Sequence, residues 1–227
     1  IGDTFFSIKR KQITVVVNRL IIQCHDSNYS KIYYNMKGQS NLPKMINSIV
    51  DYKPRNKLIL KILWHLYNSD RKVLVLSDRR GHLDYIYKSM INYSLFKLIT
   101  NSSSLNKKIT EIIVNRINTA KLSHICSCGF YIGGMKQKDL KNSESKNIIL
   151  GTFMMAAEAM DIPGLDTVIL STPKGDIEQA VGRILRKETS EITPVVIDIV
   201  DNFSSFETQS KKRKTFYNKN DYQIYDF

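Results

Sequence analysis

The sequence predicts an α/β domain, a mainly parallel sheet with helices on both faces, carrying an N-terminal extension, an inserted mostly helical segment and a C-terminal helical tail. Two observations predict it. Short continuous apolar runs of strand length recur along the chain, as in Lys72-Val-Leu-Val-Leu-Ser77, and such runs mark strands buried on both faces. Each run is followed by a turn and then by apolar residues at helical spacing, the rhythm of right-handed strand-helix-strand crossovers. At 227 residues with 42% hydrophobic content, the chain is long enough for one sizeable core.

In chain order, the β-branched run Ile13 to Cys24 reads as a strand, followed by the turn-like segment Asp26 to Ser30. The first forty residues are expected to form a linker and an edge element. Leu42 to Val50 and Arg55 to Tyr67 read as helices, the second with Leu58, Ile62, Leu63 and Leu66 on one side and Trp64 as a core residue. The Lys72 to Ser77 strand leads to a helix through Leu83, Ile86, Tyr87 and Met90. Strand then helix returns in Phe130–Gly133 before Lys136–Leu140, in Asn147–Gly151 before Met154–Ala159, and in Thr167–Ser171 before Asp176–Leu185. Pro194 to Val200 is the final strand. Ile91 to Leu122, rich in Asn, Ser and Lys, reads as an insertion. The expected organisation is an extension over 1–50, one α/β domain over 51–205 with the insertion at about 91–122, and a basic, aromatic tail over 206–227.

Lysine and arginine outnumber aspartate and glutamate by 34 to 21, giving a net charge of +13, which attracts polyanions and makes nucleic acid the leading partner. A lysine-rich surface from a compositionally biased genome is the bland alternative. Cys24, Cys126 and Cys128 cannot all pair with one another, which fits a reducing compartment. No stretch approaches the roughly 20 apolar residues of a membrane span, and no signal peptide is seen, so no membrane partner is expected. The abrupt start at Ile1 reads as a piece of a longer parent.

The most informative segment is Asp176-Ile-Glu-Gln-Ala-Val-Gly-Arg-Ile-Leu-Arg186. Ile177, Ala180, Val181, Ile184 and Leu185 form one apolar helix face, and Gln179, Gly182, Arg183 and Arg186 the other. Asp176 suits the N-cap. A glycine inside a helix costs about 1 kcal/mol against alanine, so Gly182 suggests close approach by another group. Two guanidinium groups beside an amide can grip phosphoryl oxygens, and arginine keeps its charge while doing so. For two arginines alone, a solvated basic face is the simpler explanation.

Gln179-Ala-Val-Gly-Arg-Ile-Leu-Arg186 resembles the QxxGRxxR motif VI of superfamily 2 helicases, and other segments agree in the expected order. Gly151-Thr-Phe-Met-Met-Ala-Ala-Glu-Ala-Met-Asp-Ile-Pro163 resembles motif V. Leu74-Val-Leu-Ser-Asp-Arg79 resembles the end of the motif IV strand, and Gly133-Gly-Met-Lys136 the glycine-lysine element between motifs IV and V. The likeness covers roughly residues 70 to 200. It is nearest to helicases of large DNA viruses related to the poxvirus transcript-release helicase, on Ser77-Asp-Arg-Arg80, Gly133-Gly-Met-Lys-Gln-Lys138 and Ile197-Asp-Ile-Val-Asp201. One departure is Ala159, where the family commonly has glycine.

The resemblance implies the C-terminal RecA-like domain of an ATP-dependent DNA or RNA helicase, with DNA favoured. Arg183 and Arg186 would act as arginine fingers on the transferred phosphoryl group, with Gln179 sensing it. Asp161 would lie near the ATP ribose, with Glu158 and Gly182 on the same nucleotide-facing side. Ser77, Asp78, Arg79, Gly133, Gly134, Lys136, Gly151 and Thr152 would hold a strand through its phosphates. The sequence holds no G-x-x-x-x-G-K-[ST] loop and no DExD/H box. ATP and Mg2+ are therefore expected to be held mainly by an N-terminal RecA-like domain of the same parent, and this chain alone to be inactive. The likeness also implies an intracellular setting, nuclear or cytoplasmic, or host cytoplasm or virion for a viral protein, with transcription machinery as a partner. A degenerate module that binds nucleic acid or protein without an ATPase is the competing class, and the arginine pair argues against it.

Three features carry less. His124-Ile-Cys126-Ser-Cys128 lacks the ligand number and spacing of structural zinc, and no metal site is expected. Nor is there a constellation of acidic or histidine ligands suited to a nuclease. The run Lys211-Lys-Arg-Lys214 reads equally as phosphate-contacting or solvated, and Tyr217, Tyr222 and Tyr225 read as docking the tail onto the domain rather than stacking bases.

Overall fold

The computed structural model describes residues 14–101, 127–158, 162–182 and 192–227, with side chains of 94–101 and 158 outside the description. Its strands are β1 (Val16–Ile22), β2 (Val73–Leu76), β3 (Cys128–Tyr131), β4 (Ile148–Gly151), β5 (Thr167–Leu170), β6 (Val195–Asp201) and β7 (Gln223–Asp226). They form one sheet in the order β3-β4-β2-β5-β6-β1-β7, and every neighbouring pair is parallel. The helices are α1 (Leu42–Val50), α2 (Lys53–Tyr67), α3 (Arg80–Asn101), α4 (Gln137–Glu144), α5 (Phe153–Glu158), α6 (Glu178–Gly182) and α7 (Ser205–Lys219).

Strand alternation sorts the apolar side chains into one core on each face. Val73, Val75, Ile148, Leu150, Ile169, Ile197 and Ile199 pack against Ile59 and Leu63 of α2 and Leu83, Ile86 and Met90 of α3. On the other face Leu74, Leu76, Ile149, Val168, Leu170 and Val196 pack against Leu140, Phe153, Ala156, Val181 and Tyr217, from α4, α5, α6 and α7. A satellite cluster gathers Tyr29, Met45, Ile49 and Phe206 where α1 meets the start of α7. Trp64 is half-buried, its ring stacked on Tyr93 at a centroid distance of 4.7 Å.

Four features differ from expectation, each for a physical reason. The first strand is not at an edge: β1 pairs with β6 on one side and β7 on the other. Its side chains serve both cores, Val15 and Val17 on one face and Leu20 and Ile22 on the other, a pattern suited to an interior position. The edge is β7, whose Gln223, Tyr225 and Asp226 are exposed, and the helical tail therefore ends on a strand. In α2 the buried stripe is Arg55, Asn56, Ile59, Leu60, Leu63 and Leu66, turned away from Leu58 and Ile62 because two polar residues lie in it. Finally, Lys211 to Lys214 does not act as one run, since helical rotation buries Arg213 while Lys211 and Lys212 are exposed. Tyr217 is fully buried and Tyr222 half-buried, so these two dock the tail, whereas Tyr225 is 50% exposed.

The cations taken inside meet the carboxylates of β6. Arg213 holds Asp198 with its Nε 3.0 Å from both carboxylate oxygens and its Nη2 2.8 Å from Oδ1, and Tyr217 donates to Oδ2 at 3.2 Å. Arg55 of α2 holds Asp201 at 2.7 and 2.8 Å, and Tyr29 donates to the same carboxylate. Removing one member of such a pair leaves a buried charge uncompensated, which costs about 3–5 kcal/mol. The Arg213→Ala chain is expected to lose that much stability, read as a lower urea midpoint.

Gly129 in β3 marks the closest helix-sheet approach. A Cβ there would lie 2.8 Å from Ser143 Oγ and 3.1 Å from Ser143 Cα in α4. Gly129→Ala is expected to push α4 from the sheet and cost about 1–3 kcal/mol, the usual range for overpacking, measured by equilibrium denaturation.

Candidate functional site

Because every strand runs the same way, the turns leaving β3, β4, β2 and β5 emerge along one edge, in that order. In parallel sheets of this kind ligands bind outside the carboxyl ends of the strands. The segments 133–136, 151–152 and 77–79, separated in sequence, lie there on neighbouring strands. Leu76 stands opposite Gly151 and Tyr131 opposite Gly151 in the register, and Ser77 N donates to Gly151 O at 3.1 Å.

The turn after β2 is held from below. Ser77 is fully buried. Its Oγ accepts from Arg79 N at 3.1 Å and lies 3.1 Å from His82 Nδ1, while His82 Nε2 lies 3.1 Å from Asn56 Oδ1. Asn56 Nδ2 donates to Val50 O at 2.7 Å, so its Oδ1 must be the acceptor, and His82 must carry its proton on Nε2. Nδ1 then accepts from the Ser77 hydroxyl. Burial, reinforced by the nearby Arg55 charge, pushes the His82 pKa down to about 3, so the ring is neutral. Ser77 is thus committed to the turn, and its hydroxyl does not face solvent.

Asp78 N donates to Thr172 Oγ1 at 2.9 Å, and its carboxylate lies 3.6 Å from Lys174 Nζ. The Arg79 guanidinium donates to Asn47 Oδ1, to Pro43 O at 3.0 Å and to Asp78 O at 3.0 Å. These acceptors are neutral, so its positive charge stands at the edge without a carboxylate partner among the described residues. Arg80, exposed, donates to Gly133 O at 2.8 Å and ties the two turns together. Gly134 has φ +89°, in the left-handed region that glycine enters at no steric cost. Lys136 is exposed and extended at the start of α4, where its carbonyl accepts from Asp139 N and Leu140 N. Gly151 is buried, and half-buried Thr152 starts α5 by accepting from Ala156 N at 3.1 Å.

Ile177, just before α6, and Ala180 and Val181 on it are buried and Gln179 is exposed, while Ile184 and Leu185 of the expected apolar face lie outside the described residues. Asp176 Oδ1 accepts from Glu178 N at 3.4 Å. No described atom lies within 4 Å of the position a Gly182 Cβ would take, so the close approach expected there is not made by any described residue. Arg183, Arg186 and Asp161 lie outside the described residues, as do the side chain of Glu158, His124 and Cys126. Among the described residues no group of His, Cys, Asp and Glu could hold a metal ion, and no helix is long and apolar enough to cross a membrane.

Arg55, Asn56, Arg80, His82 and Thr172 were not anticipated. For Arg55 and Asn56 a signal existed, since both fall in register with Ile59, Leu60 and Leu63 on the apolar stripe of α2.

An all-parallel sheet with helices on both faces and its turns gathered at the carboxyl edge defines a doubly wound α/β domain. The fold matches that of T4 UvsW with a TM-score of 0.59 at 17% identity, over 93% of this chain and 41% of that one. It also matches the RNA-helicase Prp28 from Chaetomium thermophilum bound to ADP, with a TM-score of 0.52 at 13% identity, over 92% of this chain and 38% of that one. No family model matches the chain. In sequence it is 36% identical over 214 residues to "Putative ATP-dependent RNA helicase L396" of Acanthamoeba polyphaga mimivirus, covering 92% of this chain and 36% of that protein. It is 30% identical over 95 residues to QP509L of African swine fever virus, named likewise, covering 41% of this chain and 19% of that protein. The chain thus spans about a third of the length of the mimivirus protein. The chain is homologous in sequence to these viral proteins and shares its fold with a part of T4 UvsW and of Prp28.

The neutral His82 has a pH consequence. Its folded pKa lies below the ordinary 6.5, so below that pH the unfolded chain binds a proton that the folded chain refuses. Stability present above pH 6.5 is lost as pH falls toward 3, at about 1.4 kcal/mol per pH unit, or about 2 kcal/mol at pH 5. His82→Gln is expected to flatten the stability profile between pH 6.5 and 4, measured by denaturation at each pH.

Proposed function

We propose that this chain is the second motor domain of an ATP-dependent helicase or translocase, gripping one nucleic-acid strand by its phosphates and completing an ATP site held by an N-terminal RecA-like domain of the same parent. The carrying observation is the convergence of the 77–79, 133–136 and 151–152 turns on one edge with the charges of Arg79, Arg80 and Lys136. Homology to viral proteins named as ATP-dependent RNA helicases supports it. Backbone groups at Gly133, Gly134 and Gly151, the Thr152 hydroxyl and the Lys136 ammonium suit a sequence-independent phosphate track, with Ser77, Asp78 and Arg79 shaping its floor.

ATP, with Mg2+, supplies the phosphoryl group and the free energy when bound to the partner domain. This chain contributes charge and orientation. The exposed Gln179 shares its helix with buried Ala180 and Val181, which hold the polar side of α6 outward. In the proposal Arg183 and Arg186 continue that side and stabilise charge on the transferred group. Asp161 and Glu158 serve the nucleotide side, and Gly182 leaves room for it. Closing and opening of the cleft then moves the strand. DNA is the favoured substrate, although the viral relatives are named for RNA, and transcription machinery is the favoured partner. The isolated chain is inactive.

The test uses the full-length parent with its N-terminal domain. Arg183→Ala and Arg186→Ala are each expected to lower nucleic-acid-stimulated ATP hydrolysis by about 1,000-fold while binding of single strands persists. Variants that hydrolyse at the wild-type rate would refute the finger assignment. Lys136→Ala is expected to weaken binding of all sequences alike and to reduce the salt slope by about 0.7, the value per phosphate contact on a single strand, read by anisotropy titrations at several salt concentrations on DNA and RNA.

A further inference from the structure

Between β1 and α1 the chain makes a turn rooted at Tyr33, which packs against the satellite cluster. Tyr34 and Ser40 form an antiparallel bridge, Asn35 N donates to Gln39 O at 2.8 Å, and Gly38 N donates to Asn35 O at 3.0 Å. Asn35 Oδ1 accepts from Lys37 N at 2.9 Å and Gln39 N at 3.0 Å, and Gly38 takes φ +73°. The base is fixed as well: Asn41 N donates to Tyr33 O at 2.6 Å, and the Ser40 and Ser205 hydroxyls are 2.8 Å apart. The turn is thus held at its tip and at its root.

Among polar neighbours it displays large apolar side chains to solvent. Met36 at the tip is 106% exposed, Tyr34 65% and Ile32 39%. The surroundings are cationic: Lys37 is exposed beside Met36, and Lys31 and Lys44 lie 5.4 and 4.7 Å from the Tyr33 ring centre. No aspartate or glutamate occurs between Asp26 and Asp51. Aromatic and apolar side chains interleaved with lysine, without carboxylates, suit a single strand, whose bases stack while its phosphates are neutralised. Position favours the same partner, because Ser40 and Asn41 lead directly into Pro43, whose carbonyl accepts from Arg79 in the turn after β2.

We propose that the 33–40 turn is a base-contacting element: Tyr34 stacks on, and Met36 packs against, bases of the strand whose phosphates follow the carboxyl edge, with Lys37 on its backbone. This rests on the phosphate track proposed above and adds contacts to bases. The element lies outside the segments on which the helicase resemblance was drawn.

The 227-residue chain would be titrated against fluorescein-labelled single-stranded 12-mers of DNA and RNA, and against the same strands carrying 2-aminopurine. Tyr34→Ala is expected to bind about tenfold more weakly, in the range of losing one base-aromatic stack, and to abolish part of the 2-aminopurine quenching. Tyr34→Phe should match wild type, because the ring stacks, and Met36→Ser should weaken binding to a smaller degree. Both side chains are largely exposed, so melting curves should be unchanged. If Lys136→Ala weakens binding while Tyr34→Ala and Met36→Ser bind and quench as wild type, the turn contacts no bases and the phosphate track stands. If Tyr34→Phe fails like Tyr34→Ala, stacking is refuted. Absence of binding by the wild-type chain would overturn both the track and the turn.

Discussion

A parallel sheet buried on both faces cannot turn its chain in a tight hairpin, because each strand must be regained by a crossover through the helical layer. In this protein that constraint fixes almost everything else. It demands continuous apolar strands, helices on both sides, and, since all strands point one way, a single edge where the strands stop and the turns begin. The turns after β2, β3 and β4 bond to one another, as Arg80 does to Gly133, but those bonds are not what makes them neighbours. They meet because Leu76, Tyr131 and Gly151 are in register, so whatever polar chemistry follows those positions is brought to one place.

The constraint also explains where this chain puts charge inside. β6 has neighbours on both sides and is covered on both faces, yet it carries Asp198 and Asp201, both buried. Neither carboxylate can reach water, so each needs a cation from a covering helix: Arg213 from α7 for Asp198, and Arg55 from α2 for Asp201. Arg19 of β1 adds to the first pair at 3.8 Å and reaches Asp226 of β7 at 2.6 Å. Buried pairs of this kind add little net stability over apolar residues of equal volume. What they impose is position, since α2 and α7 fit only where their charges meet β6, and the edge strand only where Asp226 meets Arg19 of β1.

Much of this was legible in the sequence because it follows from periodicity. The apolar runs from Lys72 onward gave strands within about two residues of those found, whereas the three turns of the carboxyl edge were singled out by their resemblance to helicase motifs and not by periodicity. Long-range pairing was not legible. Nothing local tells a β-branched run such as Ile13 to Cys24 whether one neighbour or two await it, and its second neighbour, β7, is four residues long within a polar tail. Arg213 was hidden in a lysine-rich run because composition does not show which member faces inward; the spacing Phe206, Ser210, Arg213, Tyr217 does. The same test would have found Arg55 and Asn56. Arg79 was expected to hold a phosphate, and the two guanidinium contacts it makes with Asn47 and Pro43 of α1 are ones a sequence cannot reveal until the two segments are known to touch.

Arg55 and Asn56, adjacent on α2, connect the buried charges to the functional edge. Arg55 holds Asp201 and donates to Ser171 O at 2.8 Å, fixing the turn after β5. Asn56 orients His82, which orients Ser77, fixing the turn after β2. The two are also electrically linked, because the Arg55 guanidinium opposes protonation of His82. A neutral ring with its proton on Nε2 can accept from Ser77, which leaves the Ser77 oxygen free to accept from Arg79 N. A protonated ring would donate at Nδ1 instead and leave the hydroxyl proton to the longer contact with Arg79 O at 3.4 Å. Burial, reinforced by the Arg55 charge, therefore keeps the histidine neutral and sets the direction of the hydrogen bonds under the turn that the proposed strand must pass.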